Sequence, residues 1–384
     1  MRKVVVLGVG MTPFGRHPDL TIAELGRQAV VEAVADAGID TNQIQAVYAG
    51  HARTGQLQQQ ENGVGQRICA EVGLPWVPVT GVGNYCASGS TAFREAYFSV
   101  ASGFCEIALA VGVEKLSDRR GKGSPLVADG REQAEDGFTP VAYYAMIANR
   151  HRELFGTSSA ELAAVAVKNR RFASTNPLAQ YRVPISVDEV LAAPMIAAPL
   201  TLLSCCPTTD GASAAVLCSR VVARRYTTKP VSVSASSLTS GGYEMGGDIT
   251  TAEIDVRAAR AAYEAAGVGP MDIDVAEVHD AFTIAEVMHY EDLGFCPKGS
   301  GGKFVASGEA GPDGVVTVNP SGGLLSRGHP LGATGLAQVV EIARQLKGRA
   351  GDRQRDGARV GLTHCVGGFV KNDFAASSIH ILQR

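Results

Sequence analysis

Short apolar runs alternate with glycine-rich turns and helical stretches along most of the chain, and that alternation predicts an α/β protein. The first run, Val4-Val5-Val6-Leu7-Gly8-Val9-Gly10, reads as a buried strand entering a turn. Val77 to Val82 predicts a strand, Gly83 to Gly89 a turn, Ser90 to Ala101 a helix closed by Gly103, and Ile107 to Val113 another strand. The same order returns near the other end. Val315 to Val318 reads as a strand, Asn319-Pro320-Ser321-Gly322-Gly323 as a turn, Gly328 to Gly335 as the opening of a helix from Leu336 to Leu346, and Val360 to Thr363 as a strand. This repetition predicts two similar α/β halves. Between them lies a more charged, helical excursion from the first half, which resumes with a strand, Ala214 to Cys218, after Asp210-Gly211. The expected division is 1–116 with 194–228 for the first half, 117–193 for the excursion and 229–384 for the second half.

A chain of 384 residues has room for more than one buried core, and 45% hydrophobic with 19% charged residues places it among water-soluble proteins. No apolar run approaches the length of a membrane span. A net charge of -3, from 35 basic and 38 acidic side chains, offers no global field for nucleic acid or an anionic membrane. Gly8 and Gly10 suggest a dinucleotide fold, but Pro13 stands where G-x-G-x-x-G needs its third glycine. Eight cysteines include no C-x-x-C pair, the N-terminus shows no secretory pattern, and Ile381-Leu382-Gln383-Arg384 is no peroxisomal address. Reduced thiols in a cytoplasmic protein are expected. The basic residues Arg119, Arg120, Lys122, Lys168, Arg170, Arg171 and Arg182 read as a solvated surface rather than an anion site.

Four residues stand out chemically. Cys86 sits where a turn meets a helix N-terminus, whose unsatisfied N–H groups and dipole favour a thiolate. On local pattern alone a reactive thiol and a buried packing cysteine are both open there; Cys69, Cys105 and Cys218 read as packing cysteines. His329 lies in the corresponding turn of the second half, and His279 ends the strand Asp274 to Val278 before a helix from Phe282. Cys365 follows the strand Val360 to Thr363. All four are expected just past strand C-termini, where open α/β sheets form ligand crevices. A metal held by two histidines and two cysteines is the competing reading, but the spacings match no zinc module. Asp280 reads as a cap for the helix after it, and His364 as turned away from the site, because neighbours on a strand face opposite sides.

Asn84-Tyr85-Cys86-Ala87-Ser88-Gly89, Val278-His279-Asp280-Ala281-Phe282, Asn319-Pro320-Ser321-Gly322-Gly323 with Gly328-His329-Pro330-Leu331-Gly332-Ala333-Thr334-Gly335, and His364-Cys365-Val366-Gly367-Gly368 resemble, in order, the four active-site blocks of thiolases. Asp210-Gly211-Ala212-Ser213-Ala214-Ala215 resembles a structural block of that family. H-D-A-F in place of N-E-A-F is similar to the sterol-carrier-protein-2 type. The resemblance implies a layered αβαβα fold and an acyl-CoA acyltransferase that cleaves or forms a 3-oxoacyl thioester. It assigns Cys86 as the acyl-carrying nucleophile, His329 as its base, Cys365 as the acid/base at the α-carbon and His279 as an enolate-binding or water-positioning group. Backbone N–H groups of Cys86 and Gly367 would form an oxyanion hole. Coenzyme A thioesters would be substrates, no metal or redox cofactor is required, and the residues that bind coenzyme A are not assigned. A homodimer or dimer of dimers follows from the resemblance, which also admits a partner with an OB-fold and zinc ribbon. Three rivals remain: a decarboxylating ketosynthase, which has no need of Cys365; a non-catalytic scaffold or lipid-binding subunit; and acyl transfer to a non-CoA acceptor.

Overall fold

The computed structural model describes residues 1–53, 63–117, 139–243, 247–371 and 373–384. In the first half β1 (Val4–Met11) leads through α1 (Ile22–Ala37) to β2 (Ala46–Gly50), α2 (Val64–Glu71), β3 (Val79–Val82), α3 (Ser88–Ser102) and β4 (Ile107–Glu114). The excursion holds α4 (Pro140–Phe155), α5 (Ser159–Ser174), α6 (Val187–Ala192) and a small ribbon, β5 (Met195–Ala197) with β6 (Leu200–Thr201). Then come β7 (Gly211–Ser219) and the single turn α7 (Arg220–Ala223). The second half runs β8 (Val231–Ser240), α8 (Glu253–Ala266), β9 (Val275–Glu277), α9 (Thr283–Asp292), α10 (Gly301–Ala306), β10 (Thr317–Val318), α11 (Gly323–Ser326), α12 (Leu331–Lys347), β11 (Val360–Val370) and β12 (Asp373–Gln383).

The sheet order is β10-β9-β11-β12-β8-β1-β7-β4-β2-β3. Counted within each half, both halves run third, second, fourth, fifth, first strand. In both, the first two pairings are parallel and the last two antiparallel. The duplication expected from the sequence pattern is therefore present at the level of topology. The halves join edge to edge where Val5 and Val6 of β1 pair with Ser232 and Val231 of β8.

Burial explains the layers. Apolar positions of α1 and α2 pack on one face of the first half's strands, and α3 and α12 share a core with the other face and with strands of the second half. Two helices can lie that close only where side chains vanish. A Cβ on Gly89 would fall 2.4 Å from the Gly332 carbonyl oxygen, and one on Gly335 would fall 2.5 Å from Ser90 Cβ. Gly8 and Gly10 have the same cause, since Cβ atoms there would meet the α1 backbone at 2.2 to 2.7 Å. They seat a helix and cradle no phosphate.

The excursion leaves the first half in sequence but docks on the second in space. Tyr143, Tyr144, Ile147, Leu162 and Val165 join the core formed by α8, α9, β11 and β12. This corrects the solvated reading of its basic residues. Lys168 bonds the Val318 carbonyl at 2.6 Å and Glu286 at 2.8 Å, and Arg170 is buried beside Ser326. Arg171 and Arg182 are exposed as expected, and Arg119, Arg120 and Lys122 lie outside the described residues. Among the described residues no helix is long and apolar enough to cross a membrane.

Candidate active site

The turn Asn84-Tyr85-Cys86-Ala87 delivers Cys86 to the start of α3. Tyr85 adopts φ 51°, a left-handed conformation costly for a bulky residue. Its carbonyl accepts from the Ser88 amide at 3.1 Å and the Ser88 hydroxyl at 2.6 Å, which holds the turn in that state. The Asn84 carbonyl accepts from the Ala87 amide, and the Asn84 side chain donates to Thr91 on the next helical turn. Cys86 is half-buried, and none of the eight cysteines, all among the described residues, is in a disulfide.

The strand β11 passes directly against this turn. A Cβ on Gly367 would fall 2.4 Å from the Asn84 carbonyl oxygen, and one on Gly368 would fall 2.3 Å from the Tyr85 ring. Contrary to the expected boundary, Cys365 lies inside this strand rather than past its end, because β11 continues pairing with β12 to Val370. Its thiol donates to the Cys86 carbonyl at 3.2 Å and lies 3.6 Å from His279 Nδ1. Burial, and then the charge on Cys86, push the Cys365 thiol well above the ordinary range, so it rests protonated.

His279 follows β9, and its ring meets that of His329 edge to face at 5.1 Å. The donor atoms of Cys86, His279 and His329 all lie within 4.8 Å of one another. Burial pushes His329 down to about 3, with the Arg327 guanidinium adding to the effect, and holds His279 well below the imidazole range with His329 beside it. Both are neutral at physiological pH. The Thr334 hydroxyl bonds the Pro330 carbonyl at 3.0 Å and His329 Nδ1 at 2.8 Å. Because the hydroxyl has one proton, given to the carbonyl, Nδ1 is the protonated ring nitrogen and Nε2 carries the basic lone pair. The His329 amide donates to Thr209, and the buried pair Arg327–Glu277, at 2.9 Å, fixes the approach to this turn.

Asp280 caps a different helix from the one expected. It accepts from the Leu324 and Leu325 amides at 2.7 and 3.2 Å, so it anchors α11 instead of α9. Asn169 from the excursion donates both to Asp280 and to Glu286, while Lys168 pairs with Glu286. Burial and then the neighbouring Glu286 raise the Asp280 carboxyl well above its ordinary range. The His279 loop is thus pinned by a buried polar network that no short motif announces. Glu114, fully buried at the end of β4, was also missed. It accepts from the Ala52, Arg53 and Gly332 amides and ties the start of α12 to the first half.

Cys86, His279 and His329 open onto a narrow cavity of ≈ 90 Å³ walled by Tyr144, Phe282 and Phe369. Cys365 does not border it and is reached through His279 and the Cys86 turn. The geometry therefore gathers a sulfur nucleophile, two neutral imidazoles and a protonated thiol at one point. A metal held by Cys86, His279 and His329 would occupy the sulfur and imidazole atoms that these residues turn toward one another beside the cavity.

The thiolase N-terminal domain family matches residues 4–221, and the thiolase C-terminal domain-like family matches residues 235–384. The chain belongs to the thiolase family. An acetyl-CoA acetyltransferase of Methanothermobacter thermautotrophicus is 42% identical over the full length of both chains. Human sterol carrier protein 2 is 37% identical, over 96% of this chain and 70% of the relative. Among solved structures, one titled Ltp2-ChsH2(DUF35) aldolase superposes with a TM-score of 0.83 at 25% identity, covering 99% of this chain and 97% of that one. The thiolase-like α/β fold expected from the four motif blocks is the fold found. His364, as expected, turns away from Cys365, toward Asp255 at 3.0 Å. Cys69, Cys105 and Cys218 are buried packing residues.

Proposed function

We propose that this thiolase carries its acyl group on Cys86, with His329 as the base for that thiol, and that Cys365 and His279 serve the carbon–carbon step. The chain is an acyl-CoA acyltransferase of thiolase type. The observation that supports the residue roles is the convergence of Cys86, His279 and His329 within 4.8 Å, with Cys365 in contact with His279.

In the cleaving direction, His329 Nε2 takes the Cys86 proton as sulfur attacks the 3-oxo carbonyl. The carbon–carbon bond then breaks toward the thioester, and the leaving enolate takes a proton from the Cys365 thiol. A free coenzyme A thiol next attacks the acyl-Cys86 thioester; its proton and the one already held by His329 return to Cys86 and Cys365, so both thiols and the neutral imidazole are restored. Condensation is the reverse. In this reading the backbone N–H groups of Cys86 and Gly367 stabilise the acyl carbonyl oxygen, and His279 the enolate oxygen.

The electrostatics of Cys365 fit this cycle. A charge on Cys86 is one of the causes that hold Cys365 protonated. Acylation prevents Cys86 from carrying that charge and so eases ionisation of Cys365 at the stage where condensation needs a base. These four groups account for every proton transferred, so the reading calls on no redox cofactor. A ketosynthase reading would leave Cys365 without a task.

The acetyl-CoA acetyltransferase relative and the narrow cavity favour a short acyl group. The likeness to the two-component Ltp2-ChsH2(DUF35) aldolase supports a partner subunit of the DUF35 kind, docked on the thiolase chain. Incubation with acetyl-CoA, followed by intact-mass and peptide mapping, is expected to place one acetyl group on Cys86. An adduct mainly on Cys365 would overturn the assignment.

A further inference from the structure

Behind the active site, on the opposite face of β11, a second cluster brings together Asp255 of α8, His289 of α9 and His364 of β11. Their side chains are completely buried, and one donor atom from each lies within 4.8 Å of the others. His364 Nε2 stands 3.0 Å from Asp255 Oδ1, and His289 Nδ1 stands 3.3 Å from Asp255 Oδ2. Yet neither contact is a directed hydrogen bond. Both carboxylate oxygens and all four ring nitrogens of this set lack a hydrogen-bond partner, although every one of these atoms is out of reach of solvent.

That combination is unusual for a packing cluster. A buried polar atom left without a directed hydrogen bond is destabilising, and here six lie together, four of them meeting only in the two close ion-pair approaches. Atoms that approach closely without pointing at one another are arranged as ligands around a shared centre. With metal–ligand bonds of about 2.0–2.2 Å, neighbouring donors on one ion stand about 2.8–3.6 Å apart, the short end for octahedral and the long end for tetrahedral geometry. The two measured separations, 3.0 and 3.3 Å, fall in that interval. Two imidazoles with one carboxylate and no thiolate suit a first-row divalent ion such as Zn²⁺.

We propose that Asp255, His289 and His364 bind a divalent transition-metal ion, with Zn²⁺ as the reference ion, at a structural site separate from the catalytic residues. The ion would tie α8, α9 and β11 together immediately behind Cys365, since His364 is its neighbour in the strand. It takes no part in acyl transfer. Because the donors are sealed from solvent, the ion enters while the chain folds. The expectation of a metal-free protein is revised only for this site, and the proposal stands or falls independently of the roles given to Cys86 and His329.

The test uses the full-length chain, expressed without an affinity tag and without any partner subunit that could carry its own zinc. Elemental analysis after gel filtration is expected to give about one equivalent of a divalent metal per chain. Unfolding in chelator and refolding should give a lower melting temperature, restored by Zn²⁺ or Co²⁺, because an ion that binds only the native state stabilises it. The Co²⁺-refolded protein should show the visible ligand-field bands of a bound nitrogen–oxygen site. His289→Gln and His364→Gln should each lose the metal, and His289→Gln should still be acetylated on Cys86. A chain isolated with no stoichiometric metal, refolding to the same melting temperature in chelator and in Zn²⁺, would overturn the proposal and leave a metal-free triad sharing a proton. If either variant fails to fold, the wild-type metal content and refolding comparison decide alone.

Discussion

In the first half the helix after the third strand begins at Ser88, two residues past Cys86; in the second half the corresponding helix begins at Leu331, two residues past His329. Cys86 and His329, the proposed nucleophile and base, therefore occupy equivalent places in a duplicated fold. The fourth strands are also equivalent in what they touch. A Cβ on Gly112 of β4 would fall 2.3 Å from the Gly332 carbonyl oxygen, and one on Gly367 of β11 would fall 2.4 Å from that of Asn84. Each half thus presses a glycine of its fourth strand against the other half, Gly367 on the turn before α3 and Gly112 on the first turn of α12. What differs is the side chain each turn presents and the backbone that presents it. The first uses a strained Tyr85 before a cysteine, and the second Gly328 at φ 114° before a histidine. Duplication supplied two helix starts face to face, and the chemistry came from filling them unequally.

The sharpest way to break this comparison is to empty one turn at a time. Cys86→Ala should abolish acylation by acetyl-CoA, a loss of at least about 10³-fold in turnover. His329→Ala should slow acyl-enzyme formation by about 10²–10⁴-fold, since the thiol loses its base. The burst of coenzyme A release measures both. An unchanged burst in His329→Ala would mean that the second turn serves another step.

A smaller but more selective effect is expected across the strand. Cys365→Ser should lower acetoacetyl-CoA cleavage and α-proton exchange by about 10²-fold or more while leaving Cys86 acetylation nearly intact. His279→Ala should behave alike. Deuterium incorporation into acetyl-CoA, measured beside acetylation, separates the two steps. Wild-type exchange in both variants would remove them from carbanion chemistry and favour transfer to an external acceptor.

The shared glycine contacts give a stability test. Gly112→Ala and Gly367→Ala each force a methyl into backbone at under 2.5 Å, so each should destabilise the chain by about 1–3 kcal/mol. Denaturant midpoints would measure this. If only one of the pair is costly, the two crossings are not mechanically equivalent.

Legibility in the chain followed the range of the interactions involved. The strand–turn–helix repeat and the four motif blocks are local, and they were readable. Boundaries slipped where local glycine punctuation misled. Gly332 and Gly335 read as leading into a helix from Leu336 but lie within α12, where Gly335 admits α3 and Gly332 seats against His51 and the Val113 carbonyl. Cys365 read as a residue beyond its strand because the Gly367-Gly368 pair resembles a terminator, whereas long-range pairing with β12 carries the strand past it. The positioning groups Glu114, Asn169 and Lys168 act through partners up to 218 residues away and leave no periodic trace. Lys168 and Arg170 read as surface for the same reason: only the docking of α5 on the second half gives them buried partners.

The smallest expected effect concerns two buried histidines with one environment and different duties. Burial pushes both His329 and His380 down to about 3. His380 has no part in the site; its ring is fixed by Ser90 and Ser236 and packs on Phe93 at 4.7 Å. In the unfolded chain both imidazoles titrate near about 6.5. Between those values the unfolded state holds protons that the folded state does not, so stability rises with pH across that window. It is therefore whole above about pH 7 and declines as pH falls from 6.5 toward 3. Urea midpoints measured from pH 7 to 4 should fall steadily in the wild type, and His380→Asn should fall less steeply because it removes one of the buried imidazoles, His279, His289, His329 and His380, that gain a proton on unfolding. Acylation should behave differently. A base that stays neutral down to about 3 gives the acylation rate no acid limb near 6.5 from its own titration. A limb at 6.5 in rapid-quench acetylation, persisting under conditions where the fold is intact, would show that His329 is hydrated and titrates normally, and the symmetry of buried turns would lose its electrostatic half.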